Sequence, residues 1–212
     1  MRTLLHCVVV LTMAAELVGA VQTNQEFRVD PAATTVVVHV GRAGLFRFAG
    51  HDHEVAVPGV EGRITLDSTD PSRSRVAMQF DAKALKVTGR GEPAGDVAEV
   101  QRTMLSDRVL DVARYPTIAF ESDRISVQQR SAGNWTLRVE GRLTLHGVTK
   151  PLGVPVAVRL DGNRLIATAE ATVRQSEFGI QPVTAAGGTV RVKDEVVVNF
   201  TVAAVAGGAS DR

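Results

Sequence analysis

A chain of 212 residues, 44% of them hydrophobic, is long enough for one domain with a sizeable core and short for two. Its 24 basic and 23 acidic residues give a formal net charge of +1, so global charge favours neither nucleic acid nor an acidic membrane surface as a partner. The single cysteine, Cys7, excludes an internal disulfide framework.

Residues 1–20 have the pattern of a secretory signal peptide. Arg2 supplies the positive start, an apolar run extends from about Leu4 to Ala15, and residues 18–20 form a small-residue cleavage site. The apolar run is too short to span a bilayer. We therefore expect a periplasmic or secreted protein, without stable membrane insertion once this segment is removed.

Behind the signal peptide, the first half of the chain predicts strands separated by turns. Thr34–Val40 carries valine at alternate positions, which is the two-residue period of a strand with one buried face. Gly59–Leu66 and Arg75–Phe80 repeat that pattern on either side of a turn-rich segment. An antiparallel sheet is therefore expected to begin here.

One segment has helical periodicity. After Asp96, the apolar residues Val97, Val100 and Met104 recur at the spacing of an amphipathic helix of about two to three turns. Such a helix would either close one end of a barrel as a lid or cover an exposed sheet edge.

The second half of the chain consists of longer alternating segments. Residues 117–128 and 190–203 alternate in this way, and residues 135–160 form a hairpin whose arms each have one apolar face. The whole chain thus has about eight long strands, which favours an all-β fold: an eight-stranded antiparallel barrel with one short helical insertion. We place this barrel at residues 27–204 and expect a disordered tail at residues 205–212.

Signatures of common enzymes and cofactor sites are missing from the sequence. There is no phosphate-binding glycine loop, nucleophile elbow or dinucleotide fingerprint, so no cofactor is expected. The densest polar cluster is His51, Asp52 and His53, which could bind a divalent metal or transfer protons, with His39 or His146 as a further ligand. The simpler interpretation is a mouth loop with hydrogen-bonded or solvated histidines. We assign neither catalytic residues nor a metal site.

Large apolar side chains in the predicted strands are candidates for the lining of an internal cavity. For any single one of them an ordinary core position is the safer interpretation, since large apolar side chains are mostly buried in either case. Small residues on one face of a late strand, Ala167, Ala169 and Ala171, favour a hollow barrel because they leave room inside. The candidate lining residues are Leu45, Phe46, Phe48, Phe120, Trp135, Leu137, Val139, Leu143, Phe178 and Phe200.

Three segments carry a family resemblance. Residues 115–122 (YPTIAFES), 141–151 (GRLTLHGVTKP) and 178–180 (FGI) resemble, in order and spacing, the signature segments of the YceI-like family of exported bacterial proteins. The resemblance covers Phe27–Ala203. It implies a lipocalin-like eight-stranded barrel whose apolar lumen takes an isoprenoid or similar lipid, a periplasmic or secreted location, and often a homodimer. The His51–His53 segment marks this chain as a divergent member, and the family offers no general catalytic residues.

These observations lead to one main hypothesis and two alternatives. The main hypothesis is a binding protein that sequesters or transports a hydrophobic small molecule, with the polar head at a cavity mouth formed by His51, His53 and Lys150. The first alternative is an envelope enzyme that uses His51, Asp52 and His53. The second is a structural or stress-response protein with a filled barrel.

Overall fold

The computed structural model describes residues 24–43, 52–185 and 190–207. Strands dominate these ranges, and none of the helices within them has the length and apolarity needed to cross a bilayer. The elements are β1 Asn24–Val29, β2 Thr35–Ala43, β3 His53–Ala56, β4 Glu61–Asp67, β5 Arg75–Asp81, β6 Lys86–Val87, α1 Val97–Leu105, β7 Thr117–Ser131, β8 Asn134–Leu145, β9 Val148–Asp161, β10 Arg164–Arg174, β11 Thr184–Ala185 and β12 Val190–Ala206.

The strands form a closed antiparallel barrel. In order around the barrel, β1, β4, β5, β7, β8, β9, β10 and β12 are hydrogen-bonded neighbours, and β12 pairs back to β1 through Phe27 and Ala206. The predicted all-β fold, an eight-stranded antiparallel barrel with one short helical insertion, is therefore confirmed. Over the length at which these eight strands pair, closure leaves no unpaired edge, which is how such barrels avoid edge-to-edge association.

At three of the eight strand positions around the barrel, two shorter strands take the place of one long strand. The long strand β12 pairs with β2 at Thr201 and with β1 at Ala204, so β2 continues β1 along the same side of β12. In the same way β3, paired with β2, precedes β4, and β6, paired with β3, follows β5. The short strands β2, β3 and β6 thus extend one end of the barrel, which we call the helix end.

At the helix end the barrel is incomplete. Strand β5 pairs with β7, but within the described residues no pairing joins β6 to β7. Helix α1 follows β6 and packs beside it, with Val97, Val100 and Met104 against the core. The opposite end carries β1, β4 and the β7–β8 and β9–β10 turns, and we call it the closed end.

The limits of the barrel differ slightly from the sequence prediction. The first strand begins at Asn24 rather than Phe27. Val205 and Ala206, which were assigned to the disordered tail, pair with Arg28 and Phe27, because β12 must extend this far to close the ring against β1. The predicted signal peptide and residues 208–212 lie outside the described ranges.

Candidate ligand-binding cavity

The barrel contains an internal cavity of about 310 Å³. Its wall consists of inward side chains of the strands, together with residues of α1 and of the segment that follows it. Among the described residues of this wall, Ser74 and Gln175 are the only ones with polar side chains. An apolar cavity of this size with few polar groups is a common form of small-molecule binding site.

Five of the residues that the sequence analysis proposed as cavity lining lie in this wall. They are Phe120 on β7, Leu137, Val139 and Leu143 on β8, and Phe200 on β12. Alternation explains their position, because every second side chain of a barrel strand points inward. Whether a ligand contacts them stays a prediction.

Trp135 and Phe178 are buried, at 6% and 3% exposure, but lie beyond the ends of the wall. Trp135 shares the inward face of β8 with Leu137, yet it is the second residue of that strand and so sits at the closed end. Phe178 lies in a 3-10 turn after β10, at the helix end, where its carbonyl oxygen is 3.2 Å from His146 Nδ1. The sequence period gives the face of a residue but not its height in the barrel. The prediction that these two residues line the cavity is therefore corrected: both are buried, but outside its wall.

The remaining predicted lining residues, Leu45, Phe46 and Phe48, lie outside the described residues, as does His51 of the predicted mouth. The roles of these four side chains stay predictions.

The helix end contributes wall residues that sequence reasoning missed. Met104 of α1 and Val109 and Leu110 of the following segment all line the cavity. The apolar stripe on α1 signalled that this helix packs against something. Helical periodicity carries no information about which surface it covers, so the lid role could be offered only as one of two possibilities.

His53 lies at the first position of β3, where it faces a buried carboxylate. Its Nδ1 is 3.1 Å from Oε1 of Glu92, whose side chain is only 1% exposed, while the His53 side chain is 21% exposed. The two atoms are within ion-pair distance, but they lack hydrogen-bond geometry, and neither Glu92 oxygen has a hydrogen-bond partner among the described residues. His53 is therefore engaged with the protein and does not form part of the cavity wall.

Glu54, the next residue of β3, contacts residues 88 and 90, which lie in the same segment of the chain as Glu92. Its carboxylate accepts hydrogen bonds from the Thr88 hydroxyl at 3.1 Å and from Arg90 Nη1 at 3.3 Å. Together, His53 and Glu54 attach residues 88–92, which lead into α1, to strand β3. The position of the lid helix is thus coupled to the short strand that carries the predicted mouth histidine.

Asp52, the other described member of the predicted polar cluster, also has a partner within the protein. Asp52 Oδ1 accepts a hydrogen bond of 3.0 Å from the backbone N–H of Arg42 and lies 3.6 Å from its guanidinium Nε. His39 is exposed on β2, and His146 occupies the β8–β9 turn. Within residues 24–43, 52–185 and 190–207, no three His, Cys, Asp or Glu side chains are arranged to hold a metal ion.

Lys150, the third predicted mouth residue, is exposed near the start of β9. In the strand register it lies opposite Leu143, on the same face of β9 as the wall residues Leu152 and Val154. It is thus placed at the helix end, on the side of the strand that faces the cavity.

A second depression, of about 520 Å³, lies on the outer wall of the barrel across β10, β12 and β2. It is shallow and open to solvent, and its lining includes charged and polar side chains such as His39, Arg90 and Glu170. The smaller internal cavity is the better candidate site, because enclosure removes a ligand from water and this surface groove does not.

Comparison with known proteins agrees with this architecture. The chain is similar to BcnA of Burkholderia cenocepacia, with a TM-score of 0.65 and 18% identity over 82% of this chain and 98% of that one. It is also similar to the YceI protein of Campylobacter jejuni, with a TM-score of 0.54 and 13% identity over 72% and 84% of the two chains. At these identities the likeness concerns the fold alone.

Sequence relatives and a family model extend this result. A UPF0312 protein of Pseudomonas putida strain W619 is 30% identical over 127 residues, which is 57% of this chain, and a UPF0312 protein of Pseudomonas paraeruginosa is 28% identical over 152 residues. The match spans about 60% of the length of the first of these relatives. The model of the YceI-like domain matches residues 27–204, nearly the whole barrel. The chain therefore belongs to the YceI-like family.

Proposed function

We propose that this protein is an exported binding protein that holds the apolar chain of an isoprenoid or another lipid-like molecule inside its barrel. The YceI-like barrel is the fold of a binding protein, and YceI-like proteins are generally not enzymes. The observation that carries the proposal for this chain is the cavity inside the barrel, whose wall is apolar except at Ser74 and Gln175. That cavity also argues against the alternative of a filled barrel.

The energy for binding would come from burial of the chain. Each methylene group transferred from water to an apolar site contributes about 0.8 kcal/mol, so an uncharged chain needs no ionic anchor. The wall residues Met104 and Leu110 come from α1 and the segment that follows it, outside the strand ring. Entry of a ligand past these residues would require movement of that segment and no break in the strand pairing.

The polar head of the ligand would lie at the helix end. Gln175 follows β10 at this end, and its side-chain amide donates a hydrogen bond of 2.8 Å to the backbone carbonyl of Lys193, which leaves its oxygen to accept a hydrogen bond. Lys150 lies on the cavity-facing side of β9 at the same end. A hydroxyl or carboxyl head group suits this pair of side chains. The periplasmic or secreted location is also part of the proposal, and it rests on the signal-peptide pattern of residues 1–20.

A matched pair of variants on β10 tests the proposal. Ala171 lines the cavity, whereas its neighbour Thr172 is exposed on the outer face. Ala171→Leu adds three carbon atoms to the interior and is expected to weaken binding of dodecanoate or farnesol at least tenfold. Thr172→Leu places the same leucine side chain on the outer face and should leave the affinity unchanged.

Binding can be followed on lipid-stripped protein by isothermal titration calorimetry, with thermal unfolding as a check that both variants are folded. Trp135 is the only tryptophan of the chain and is buried below the cavity, so its fluorescence gives a second signal. Absence of saturable binding for both dodecanoate and farnesol would contradict the proposed function. So would equal weakening by the two variants.

A further inference from the structure

Strands β9 and β10 pair over only part of their length. Their antiparallel register ends where Val156 lies opposite Ala169. Beyond that point both strands continue to the helix end, and each stays paired with its other neighbour, β9 with β8 and β10 with β12. Within the part of the chain that the structure describes, no pairing joins residues 148–155 to residues 170–174. We call this unpaired stretch of the wall the seam.

The sequence of β9 explains why the pairing stops. The backbone N–H of Leu160 donates a hydrogen bond of 2.8 Å to the carbonyl of Gly133, just before β8. Because the backbone groups of a strand point alternately to its two neighbours, the odd-numbered positions of β9 face β10. Pro151 and Pro155 occupy two of these positions in the seam, and proline has no N–H to donate. Strand β9 therefore cannot offer β10 a continuous row of donors here.

The seam leads to the cavity. Leu152 and Val154 on β9 border it on one side, and Ala171 and Val173 on β10 border it on the other. All four belong to the cavity wall. A ligand that passed between the two strands at this height would therefore reach the interior without breaking any strand pairing.

A short turn after β10 covers the seam. The 3-10 turn Gln175–Phe178 ends at Gly179, which has a φ of 74°, and it contacts β9. Phe178 and Ile180 are each only 3% exposed, and Ile180 lines the cavity. Two backbone hydrogen bonds of 3.1 Å within the segment hold it together. We call residues 175–180 the gate turn, since they form one unit that closes the seam.

The gate turn is attached to the barrel through side chains. The backbone N–H and the hydroxyl of Ser176 donate hydrogen bonds of 2.8 and 2.6 Å to the carboxylate of Asp194 on β12, in an exposed position. On the other side, the carbonyl oxygen of Phe178 lies 3.2 Å from His146 Nδ1. None of these contacts belongs to a strand ladder, so the gate turn can leave the seam while the barrel stays paired.

Polar side chains stand beside the seam. Lys150 lies on the cavity-facing side of β9 within it, and Gln175 at the start of the gate turn keeps its side-chain oxygen available as an acceptor. At the opening between β6 and β7, by contrast, both groups of the Gln101 amide are bonded to the chain. A polar head group in the seam would thus meet hydrogen-bonding groups, which lowers the cost of moving it past an apolar wall.

We propose that the ligand enters and leaves the barrel between β9 and β10, and that the gate turn moves to admit it. The inference rests on the proposed function, to which it adds the route by which the cavity is filled. Because the gate turn moves as one unit, opening requires Ser176 to separate from Asp194 and Phe178 to separate from His146.

The dissociation rate is the quantity that tests this route. Transfer of radiolabelled farnesol from the full chain to phosphatidylcholine vesicles measures that rate, and calorimetry on the lipid-stripped protein measures Kd. Phe178→Ala removes most of a buried side chain of the gate turn and no part of the cavity wall. We expect dissociation to become about tenfold faster, with Kd within about threefold of the unmodified protein because association becomes faster as well.

The control loosens the other covered opening. Gln101→Ala removes the contacts that hold α1 over the edge of β6, and it should leave the dissociation rate unchanged. Equal acceleration by Gln101→Ala and Phe178→Ala would place the route beneath α1 and overturn the inference.

A reversible cross-link tests the same claim without removing a core side chain. The side-chain oxygens of Ser176 and Asp194 are 2.6 Å apart, so Ser176→Cys combined with Asp194→Cys brings two thiols close enough for a disulfide. The only native cysteine, Cys7, lies in the predicted signal peptide. Oxidation should slow farnesol transfer about fivefold, and reduction should reverse the effect.

Equal transfer rates of the oxidised and reduced forms, with the disulfide confirmed by thiol titration, would overturn the inference and leave the proposed function in place. Failure of the unmodified protein to bind either farnesol or dodecanoate would instead refute the proposed function, and the inference with it.

Discussion

The side-chain oxygen of Gln101 on α1 accepts a hydrogen bond of 2.7 Å from the backbone N–H of Val87 on β6. The amide nitrogen of the same side chain donates one of 2.9 Å to the carbonyl of Leu85. These two groups lie two residues apart on one edge of the chain, so the amide of Gln101 takes the place of a neighbouring strand. The helix thereby covers the edge of β6 at the gap before β7.

Gln101→Ala should therefore loosen the lid. Removing the amide leaves a part-buried N–H and C=O without their partner, which costs about 1–3 kcal/mol in free energy of unfolding. Urea denaturation measures that loss. Relative to the unmodified protein, the variant should show a larger increase in the hydrogen-exchange rate in α1 than in β8 or β9. Arg102→Ala, an exposed change on the same helix, is the control. Equal stability of the two variants would show that the Gln101 contacts do not hold the helix.

The pair of His53 and Glu92 predicts coupling between strand β3 and the segment that leads to α1. His53→Ala would leave the buried Glu92 carboxylate without its neighbour, and should cost about 1–3 kcal/mol. In a Glu92→Leu background the same change should cost less than about 1 kcal/mol, because no buried charge remains to be compensated.

A double-mutant cycle in urea at neutral pH measures this difference. Arg90→Ala serves as the control: it removes the ion pair with Glu54, in which Arg90 is 80% exposed, and should change stability by less than about 1 kcal/mol. Identical costs of His53→Ala in both backgrounds would mean that the two side chains are not coupled.

The β8–β9 turn predicts an unusually sensitive glycine. His146 and Gly147 both have positive φ, at 51° and 73°, and a Cβ at Gly147 would collide with the ring of Tyr115. Gly162 in the β9–β10 turn also has a positive φ, but its Cβ would meet nothing within 4 Å. Gly147→Ala should therefore lower the free energy of unfolding by at least about 1 kcal/mol more than Gly162→Ala does. Comparable losses in chemical denaturation would mean that Tyr115 moves aside freely.

The β4–β5 turn predicts a contribution to acid stability. A hydrogen bond from the Thr69 hydroxyl, supported by backbone N–H groups and by Arg73, lowers the pKa of Asp67 below its ordinary value. A carboxyl group with a lowered pKa in the folded state stabilises the fold above the pKa of the unfolded chain, and this stabilisation disappears as the pH falls through the folded-state value. Asp67→Asn should therefore be less stable than the unmodified protein at neutral pH, and the difference should shrink in acid.

Urea midpoints measured from neutral pH down to about pH 3 check this dependence. Asp161→Asn, at the exposed carboxylate that ends β9, is the matched control. A stability difference for Asp67→Asn that is independent of pH would contradict the assignment.

Strand periodicity predicted the barrel well, because in long strands such as β8 and β9 apolar and polar residues alternate over more than ten residues. The short strands at the helix end were harder to predict. Strand β3 is only four residues long, and its first two, His53 and Glu54, are polar residues that form contacts at the helix end. In the sequence they look like part of a polar cluster. Pairing with β2 makes them a strand, and no local pattern encodes that pairing.

The cavity was only partly predictable for the same reason. Alternation identified inward residues such as Phe120 and Leu137, but it could not tell the cavity wall from the buried positions at the closed end, where Trp135 lies. Glu92 was not recognised at all, since a single carboxylate in a loop has no signature. Its burial beside His53 appears only when the chain from β6 to α1 has folded back over β3.

Enclosure of one apolar chain in the barrel is the central claim, and mass spectrometry tests it most directly. The full-length protein would be purified from its native host without detergent, extracted with organic solvent and compared with Ala171→Leu and Thr172→Leu prepared in the same way. We predict one class of lipid or isoprenoid, near one molecule per protein, in the unmodified protein and in Thr172→Leu, and strongly reduced in Ala171→Leu. Extracts that contain no such molecule, or the same amount in all three proteins, would contradict the account.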